Sequence, residues 1–221
     1  MVRPESLAEL EVELRVQGAM VIRPLRRAMR PLVRQDLAAA REVGAEDEEI
    51  NACRVDLEEK CIRLLATQQP AASDLRLVTG VMHVATDLER AADHAKGLAR
   101  ITCFIGHQPF VKPLEDLPRM AKLAAAMLAG ALRAFSARDV ARAKEVARWD
   151  EQVDSLHDRI HQELFALMVG KPEVVAQTTY LMWASHGVER VADLATNVCE
   201  RVGFVVTGVI EELNPAPGES Q

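Results

Sequence analysis

The sequence contains few aromatic residues, and this scarcity is the first guide to its fold. Phenylalanine, tryptophan and tyrosine together make up 4% of the 221 residues, whereas alanine and leucine are abundant. Strands are enriched in aromatic and β-branched residues, and helices in alanine, leucine and arginine. The composition therefore favours an all-helical protein, and the 49% share of hydrophobic residues is enough for a buried core.

The sequence also lacks an excess of positive charge and any long apolar stretch. Its formal net charge is −6 and its isoelectric point is about 5.6, which argues against a general nucleic-acid-binding protein. No apolar run approaches the roughly 18 to 20 residues of a membrane helix. The first residues, MVRPES, show no apolar signal region. We therefore expect no direct membrane insertion.

Cysteine is present but not in a metal-binding or redox spacing. Cys53, Cys61, Cys103 and Cys199 form no CxxC pair, so a zinc ribbon or a dithiol redox site is not expected. We predict four reduced, mostly buried thiols of a cytosolic protein.

An internal repeat is the most informative feature that the sequence does contain. Residues 88–95 read LERAADHA, and residues 188–195 read VERVADLA. Upstream, residues 28–51 align without a gap with residues 131–154, and nine of the 24 aligned positions are identical. Such a repeat predicts two copies of one structural unit.

Each copy reads as three helices. Asp36 and Asp139 stand where helix N-caps belong, at the start of each second helix. In the first helix Pro24 should cause a kink, whereas Pro31 lies near the helix end. The predicted helices cover roughly residues 5–34, 37–66 and 71–105, then 115–136, 140–168 and 173–212.

The fold class that follows is all-α, with two tandem, pseudo-symmetric three-helix bundles and six long helices. Glycine and proline between residues 106 and 113 mark the link between the two bundles. We place the first bundle at residues 1–108, the second at 109–213 and a flexible tail at 214–221.

Each half also contains two pairs of oxygen-bearing side chains four residues apart, a spacing that puts both members on one helix face. Second and third helices should be antiparallel neighbours, and both pairs lie at similar distances from the turn that joins them. The predicted ligand pairs are Asp47 with Asn51, Glu89 with Asp93, Asp150 with Asp154, and Glu189 with Asp193.

Carboxylates that converge on one groove repel each other unless a cation is present. Oxygen ligands suit Mg²⁺, Mn²⁺, Ca²⁺ or ferric iron, while zinc more often takes nitrogen or sulfur. The alternative is a solvated acidic face in which Arg90 and Arg190 pair with nearby acids and stabilise little.

The sequence provides no credible set of catalytic groups. His157 and His161 resemble a zinc-protease helix, but Asp158 stands where that chemistry needs glutamate, so we expect an ordinary exposed helix face. A di-iron oxidase needs histidine three residues after glutamate, and Ala92 and Ala192 occupy those positions.

Five arginines form a basic stripe on the first helix. They are either a solvated face that pairs with acids of the same bundle or a docking face for an acidic partner. The stripe consists of Arg23, Arg26, Arg27, Arg30 and Arg34.

Two segments resemble the signatures of the PhoU family of phosphate-signalling proteins. Residues 68–76 read QQPAASDLR and residues 87–95 read DLERAADHA; in the second half, residues 188–200 read VERVADLATNVCE. The resemblance spans roughly residues 10–212. It implies tandem three-helix bundles, a homodimer and a cytoplasmic regulator rather than an enzyme.

The resemblance also implies partners and metals. PhoU proteins act between the ATPase of a phosphate ABC transporter and a sensor histidine kinase, and they restrain phosphate uptake and starvation signalling. Their E/DxxxD motifs, which match the four pairs above, can bind metal clusters. We therefore expect divalent or trivalent metal ions here, with iron, zinc, magnesium and manganese all open. Asn51 departs from the motif because it replaces an acid, so we expect the second half to bind metal more strongly than the first.

The alternative to a phosphate regulator is a metal-binding or metal-sensing bundle whose metal occupancy is itself the function.

His94 is matched by Leu194 in the second half and is therefore not a ligand that both sites share.

Overall fold

The structure is a computed structural model that describes residues 3–214, and these residues form eight α-helices with no strand among them. A single 3₁₀ turn at Pro172–Val174 precedes the last helix. The all-helical prediction is confirmed. The helices are α1 Pro4–Arg34, α2 Leu37–Ala45, α3 Asp47–Gln68, α4 Ala72–Ile105, α5 Asp116–Ala137, α6 Val140–Ala147, α7 Asp150–Gly170 and α8 Val175–Thr207.

The six predicted helices are present in the predicted order, but the second helix of each half is divided. The first break lies at Glu46, and the second lies at Arg148 and Trp149. At the second break the Trp149 N–H donates to the Val146 carbonyl at 3.0 Å, a 3₁₀ contact between two α-helical segments. The last helix ends at Thr207 instead of 212, because Gly208 takes a left-handed φ of 82°.

The predicted N-caps are confirmed. Asp36 Oδ1 accepts a hydrogen bond from the Ala39 N–H at 3.0 Å, and Asp139 Oδ1 accepts one from the Arg142 N–H at 2.9 Å. Each cap satisfies one of the backbone donors that a helix leaves open at its start. Helix α1 continues through Pro24 and Pro31; the kink at Pro24 stays a prediction.

Helices α4 and α8 pack against each other at the centre of the molecule, and this is the most extensive contact between any two helices. Helices α1 and α3 pack on α4, α5 and α7 pack on α8, and α1 also touches α5. Gly80 permits the close approach of α4 to α8, because a Cβ there would lie 2.7 Å from Val205 Cγ2.

Equivalent positions of the two sequence repeats are buried alike. Leu14 and Leu32 are buried in α1, and Leu117 and Phe135, each 103 positions later, are buried in α5. The two halves therefore share one packing scheme around the central α4–α8 pair.

Helix α5 corrects the expectation that no stretch approaches membrane-spanning length. Its 22 residues, Asp116–Ala137, are long and apolar enough to cross a membrane by length and composition. However, 56% of its apolar window is buried within the protein, where α5 contacts α1 and α8. Its alanine-rich, apolar composition is therefore explained by its place in the core.

The four cysteines are free thiols. Cys61 and Cys199 are buried, as predicted, and burial raises the pKa of each to about 12; Cys53 and Cys103 are half-buried. After Gly208 the chain returns to α8, where the Leu213 N–H donates to Glu200 Oε1 at 2.9 Å. Apart from Asn214, the predicted flexible tail lies outside the described residues.

Candidate metal-binding grooves

The first groove lies between α3 and α4. Asp47 begins α3, and Glu89 lies half-buried on α4 close enough for the Asp47 carboxylate to act on it. Burial raises the pKa of Glu89, and the charges of Asp93 and Asp47 raise it further. The structure therefore brings these three predicted carboxylates together across the groove.

Lysine neutralises this groove from within the protein. Lys96 Nζ donates to Asp47 Oδ2 at 2.7 Å, and this hydrogen bond raises the pKa of Lys96. Sequence reasoning missed this residue, although a signal existed: Lys96 follows Asp93 by three residues and Glu89 by seven, so all three share one helix face. An ammonium group of the protein itself thus neutralises Asp47.

Asn51, the fourth predicted ligand of this groove, is exposed and contacts a second internal cation. The Arg54 Nε donates to Asn51 Oδ1 at 3.4 Å, and Arg54 Nη1 pairs with Glu58 Oε2 at 2.6 Å. The Arg54 charge also acts to lower the pKa of Glu89. The first groove therefore contains three carboxylates and two cations of its own.

The second groove lies between α7 and α8 and is more deeply buried. Asp150, at the start of α7, is 1% exposed. Burial raises the pKa of Asp150 to about 6, and the charges of Asp154 and Asp193 also raise it. Burial and Asp193 raise the pKa of both Asp154 and Glu189. All four predicted residues of this half thus interact with one another.

Fewer full charges oppose these four carboxylates. Arg190 Nη1 donates to Asp193 Oδ2 at 2.6 Å, and His186 Nδ1 lies 3.1 Å from Glu189 Oε2. Position 196, which corresponds to Lys96 in the first half, is threonine. Its hydroxyl contacts Asp150 Oδ2 at 3.3 Å and brings no charge.

The C-terminal segment reaches this groove as well. Asn214 Nδ2 donates to Asp150 Oδ2 at 2.6 Å, which lowers the pKa of Asp150 but does not cancel the effect of burial. The other oxygen, Asp150 Oδ1, is buried and has no hydrogen-bond partner within the described residues; the same holds for Asp47 Oδ1 in the first groove, where Lys96 pairs with the second oxygen. A buried, unpaired carboxylate oxygen is costly unless a cation or a proton meets it.

These donor sets fit hard cations, because they consist of carboxylate oxygens with a hydroxyl and amide nearby. The fit is better in the second groove, where the acids lack an internal ammonium. Across residues 3–214, no three histidine, cysteine or acidic side chains already stand close enough to enclose a metal ion. The carboxylates would therefore have to draw together around an ion.

Two other predicted features also have a defined environment. His157 is half-buried, and its Nδ1 lies 3.0 Å from Ser185 Oγ, so the expectation of an ordinary exposed face was wrong for this residue. In the basic stripe Arg27 pairs with Glu46 at 2.8 Å. The other four members of the stripe, Arg23, Arg26, Arg30 and Arg34, are exposed.

Comparison with known proteins identifies the family. The family model described as "PhoU domain" matches residues 14–102 and again residues 117–202. The chain is 33% identical over 209 residues to a "phosphate-specific transport system accessory protein PhoU homolog" of Streptococcus pneumoniae, covering 95% of this chain and 97% of the relative.

Solved structures agree in fold and length. A crystal structure of the phosphate transport system regulatory protein PhoU from Streptococcus pneumoniae matches with a TM-score of 0.87 and 32% identity, covering 93% of this chain and 97% of that chain. PhoU from Pseudomonas aeruginosa matches with a TM-score of 0.88 and 30% identity, covering 93% and 99%. This chain therefore belongs to the PhoU family.

Proposed function

We propose that this protein is a cytoplasmic, non-catalytic regulator that restrains phosphate uptake and phosphate-starvation signalling. It acts as an adaptor between the ATPase of a phosphate ABC transporter and a sensor histidine kinase. The observation that supports this proposal most strongly is the match of two PhoU domains over nearly the whole chain. The relatives of similar length are named as accessory proteins of phosphate-specific transport.

Gene deletion tests the regulatory role. Cells that lack the protein should express phosphate-starvation genes even in phosphate-rich medium, and the wild-type gene should restore repression. Repression that persists unchanged in the deletion strain would contradict the proposed role.

The exposed arginines of α1 are the proposed docking face for a partner with an acidic surface. Arg23, Arg26 and Arg30 lie on the exposed side of the helix, and complementary charge accelerates association and selects partners. Arg27 is excluded from the test because its ion pair with Glu46 is part of the fold.

Charge reversal tests this face. The triple variant Arg23→Glu, Arg26→Glu, Arg30→Glu should lose pull-down of the transporter ATPase or the kinase. The matched control reverses three exposed arginines elsewhere, at positions 41, 63 and 100, and should retain both partners. Equal loss in both variants would show a general charge effect and would sink the assignment of this face.

The second groove is the proposed metal site. Asp150, Asp154, Glu189 and Asp193 would supply oxygen ligands, and a bound cation would neutralise their mutual repulsion. Binding to the folded state alone would also stabilise the protein by mass action. The donors favour magnesium, manganese or iron over zinc.

The protein is proposed to work as a homodimer, which analytical ultracentrifugation of the purified chain would test.

The alternative function is metal sensing, and the incompletely neutralised acids of the second groove favour it. A deletion strain distinguishes the two functions. Normal phosphate control with disturbed metal tolerance would support the sensor, whereas constitutive starvation-gene expression with normal metal tolerance would support the adaptor.

A further inference from the structure

A groove of about 460 Å³ lies between α5 and α7 in the second half. It is distinct from the acidic groove, because its α7 residues, Gln152, Ser155 and Arg159, lie on the face of the helix opposite Asp150 and Asp154. Its volume falls within the range of pockets that hold small molecules.

Two cations line the α5 side of this groove. Arg119 and Lys122 stand one turn apart, both are exposed, and neither has an ion pair within the part of the chain that the structure describes. In a protein with a net charge of −6, two neighbouring cations with no acid in contact make this groove locally positive.

A third cation faces them from α7, and its orientation is fixed. Arg159 Nε donates to Asp116 Oδ2 at 2.8 Å, and Arg159 Nη2 donates to Asp116 Oδ1 at 2.7 Å. This paired contact uses one edge of the guanidinium. Among residues 3–214 the Nη1 group has no hydrogen-bond partner, so it can donate to an anion in the groove.

The repeat provides an internal comparison. At an offset of 103, the first-half positions that correspond to Arg119, Lys122 and Arg159 are valine, alanine and aspartate. The shared packing of the two halves therefore does not require these cations, since the first half folds in the same way without them.

The floor of the groove is apolar, with Leu123, Ala126 and Leu156 between the basic rim residues. Gln152 and Ser155 add hydrogen-bonding groups at its edge. A site for a bare inorganic anion needs no apolar floor. This combination suits a ligand that has an anionic group at one end and a planar or apolar group at the other.

We propose that this groove binds a small phosphorylated molecule. Its phosphoryl group lies among Arg119, Lys122 and Arg159, and its organic part lies over Leu123 and Ala126. Arginine and lysine both bind phosphate well, arginine through its planar set of donors. The inference rests on the groove alone and does not depend on the regulatory role or on metal binding.

Calorimetric titration of the full chain tests the proposal with four probes at constant ionic strength: AMP, ADP, glucose 6-phosphate and inorganic phosphate. At least one organic phosphate should bind the wild-type protein and should bind more tightly than inorganic phosphate. Equal or tighter binding of inorganic phosphate would overturn the organic-ligand assignment, and no binding of any probe would overturn the site.

Variants locate the binding. Arg119→Ala with Lys122→Ala should weaken the binding of the organic phosphate by more than about tenfold, since two charge-assisted contacts are lost. The matched control, Arg41→Ala with Arg63→Ala, removes two exposed cations outside the groove and should change affinity less than twofold. Equal weakening in both variants would show that the lost net positive charge, and not contacts in the groove, explains the weaker binding, and it would overturn the proposal.

A third variant tests the floor. Ala126→Trp keeps the three cations but fills the groove, so it should abolish binding of the organic phosphate while residual inorganic phosphate binding persists. Unchanged binding of the organic phosphate by this variant would contradict the proposed position of its organic part. Thermal melting of each variant confirms that it folds.

Discussion

The two acidic grooves are built on equivalent helices but are neutralised in different ways. In the first groove Lys96 donates to Asp47, and Arg54 contacts Asn51, the neutral member of the set. In the second, the Lys96 position is threonine and the Asn51 position is aspartate. One groove is thus supplied with positive charge by its own chain, and the other depends more on charge from outside.

Burial increases this difference. Asp150 is fully buried, and its counterpart Asp47 is half-buried. Asp154 and Asp193 are half-buried, whereas their counterparts Asn51 and Asp93 are exposed. Repulsion between acids is weak in water and strong where water is excluded. The same acidic motif can therefore remain stable without a cation where it is exposed, whereas its buried copy is destabilised by carboxylate repulsion unless a cation binds.

Removal of ligands should give the largest effect. Alanine at both Asp154 and Asp193 should weaken metal binding by more than about a hundredfold, because two of four charged ligands are lost from a buried site. Alanine at both Glu89 and Asp93 should weaken it less than about tenfold. Titration of metal-free protein with Mn²⁺ measures both, and equal losses would remove the proposed inequality.

Exchanging the residues at positions 96 and 196 should reverse the difference in metal affinity between the two grooves. Thr196→Lys would place an ammonium beside Asp150 and should lower the metal affinity of the second groove by roughly tenfold or more. Conversely, Lys96→Thr should raise the metal affinity of the first groove. Manganese titrations of the two single variants provide the test, which fails if Thr196→Lys binds as tightly as the wild type.

The burial of Asp150, together with repulsion from its acidic neighbours, should also appear as a pH dependence of stability in chelator-treated protein. The folded pKa of Asp150 is about 6 and its ordinary value is 3.8, so between these values the folded state holds a proton that the unfolded state has lost. This contribution therefore decreases stability as pH rises through that window, and it levels off above it.

Asp150→Asn removes that titration. Between pH 4.5 and pH 7.5 the free energy of unfolding should fall more in the wild type than in the variant, by roughly 2 kcal/mol. Urea unfolding at the two pH values measures the difference. Identical pH slopes would show that Asp150 titrates normally in the folded protein.

The smallest expected effect concerns the C-terminal segment. Asn214→Ala removes the hydrogen bond to Asp150 Oδ2 and frees that oxygen for a cation. Since one hydrogen bond is worth about 1 kcal/mol, metal affinity should rise by a few fold. A fall in affinity would instead make the Asn214 contact a support of the metal site.

The helices and the acidic pairs could be predicted because they depend on local signals. Asp36 and Asp139 mark helix starts through their own side chains, and a four-residue spacing places two acids on one face whatever the rest of the chain does. The division at Glu46 was not predicted, because Gly44, two residues before it, is a weak signal that a helix interior can tolerate.

The inequality of the grooves was only partly predictable. Asn51 indicated it, and Lys96 could have been found from its spacing to Asp93. The contact of Asn214 with Asp150 could not, because it depends on the path that the chain takes after Gly208. The contact of Thr196 with Asp150 was equally unpredictable, because the two residues lie on different helices.

Anomalous diffraction from crystals soaked in Mn²⁺ tests the central claim most directly, because it locates the ion in each half of the same molecule. The strongest peak should lie in the second groove, among Asp150, Asp154, Glu189 and Asp193, with a weaker peak or none beside Asp47 and Lys96. Peaks of equal height in both grooves, or a stronger peak in the first, would contradict it.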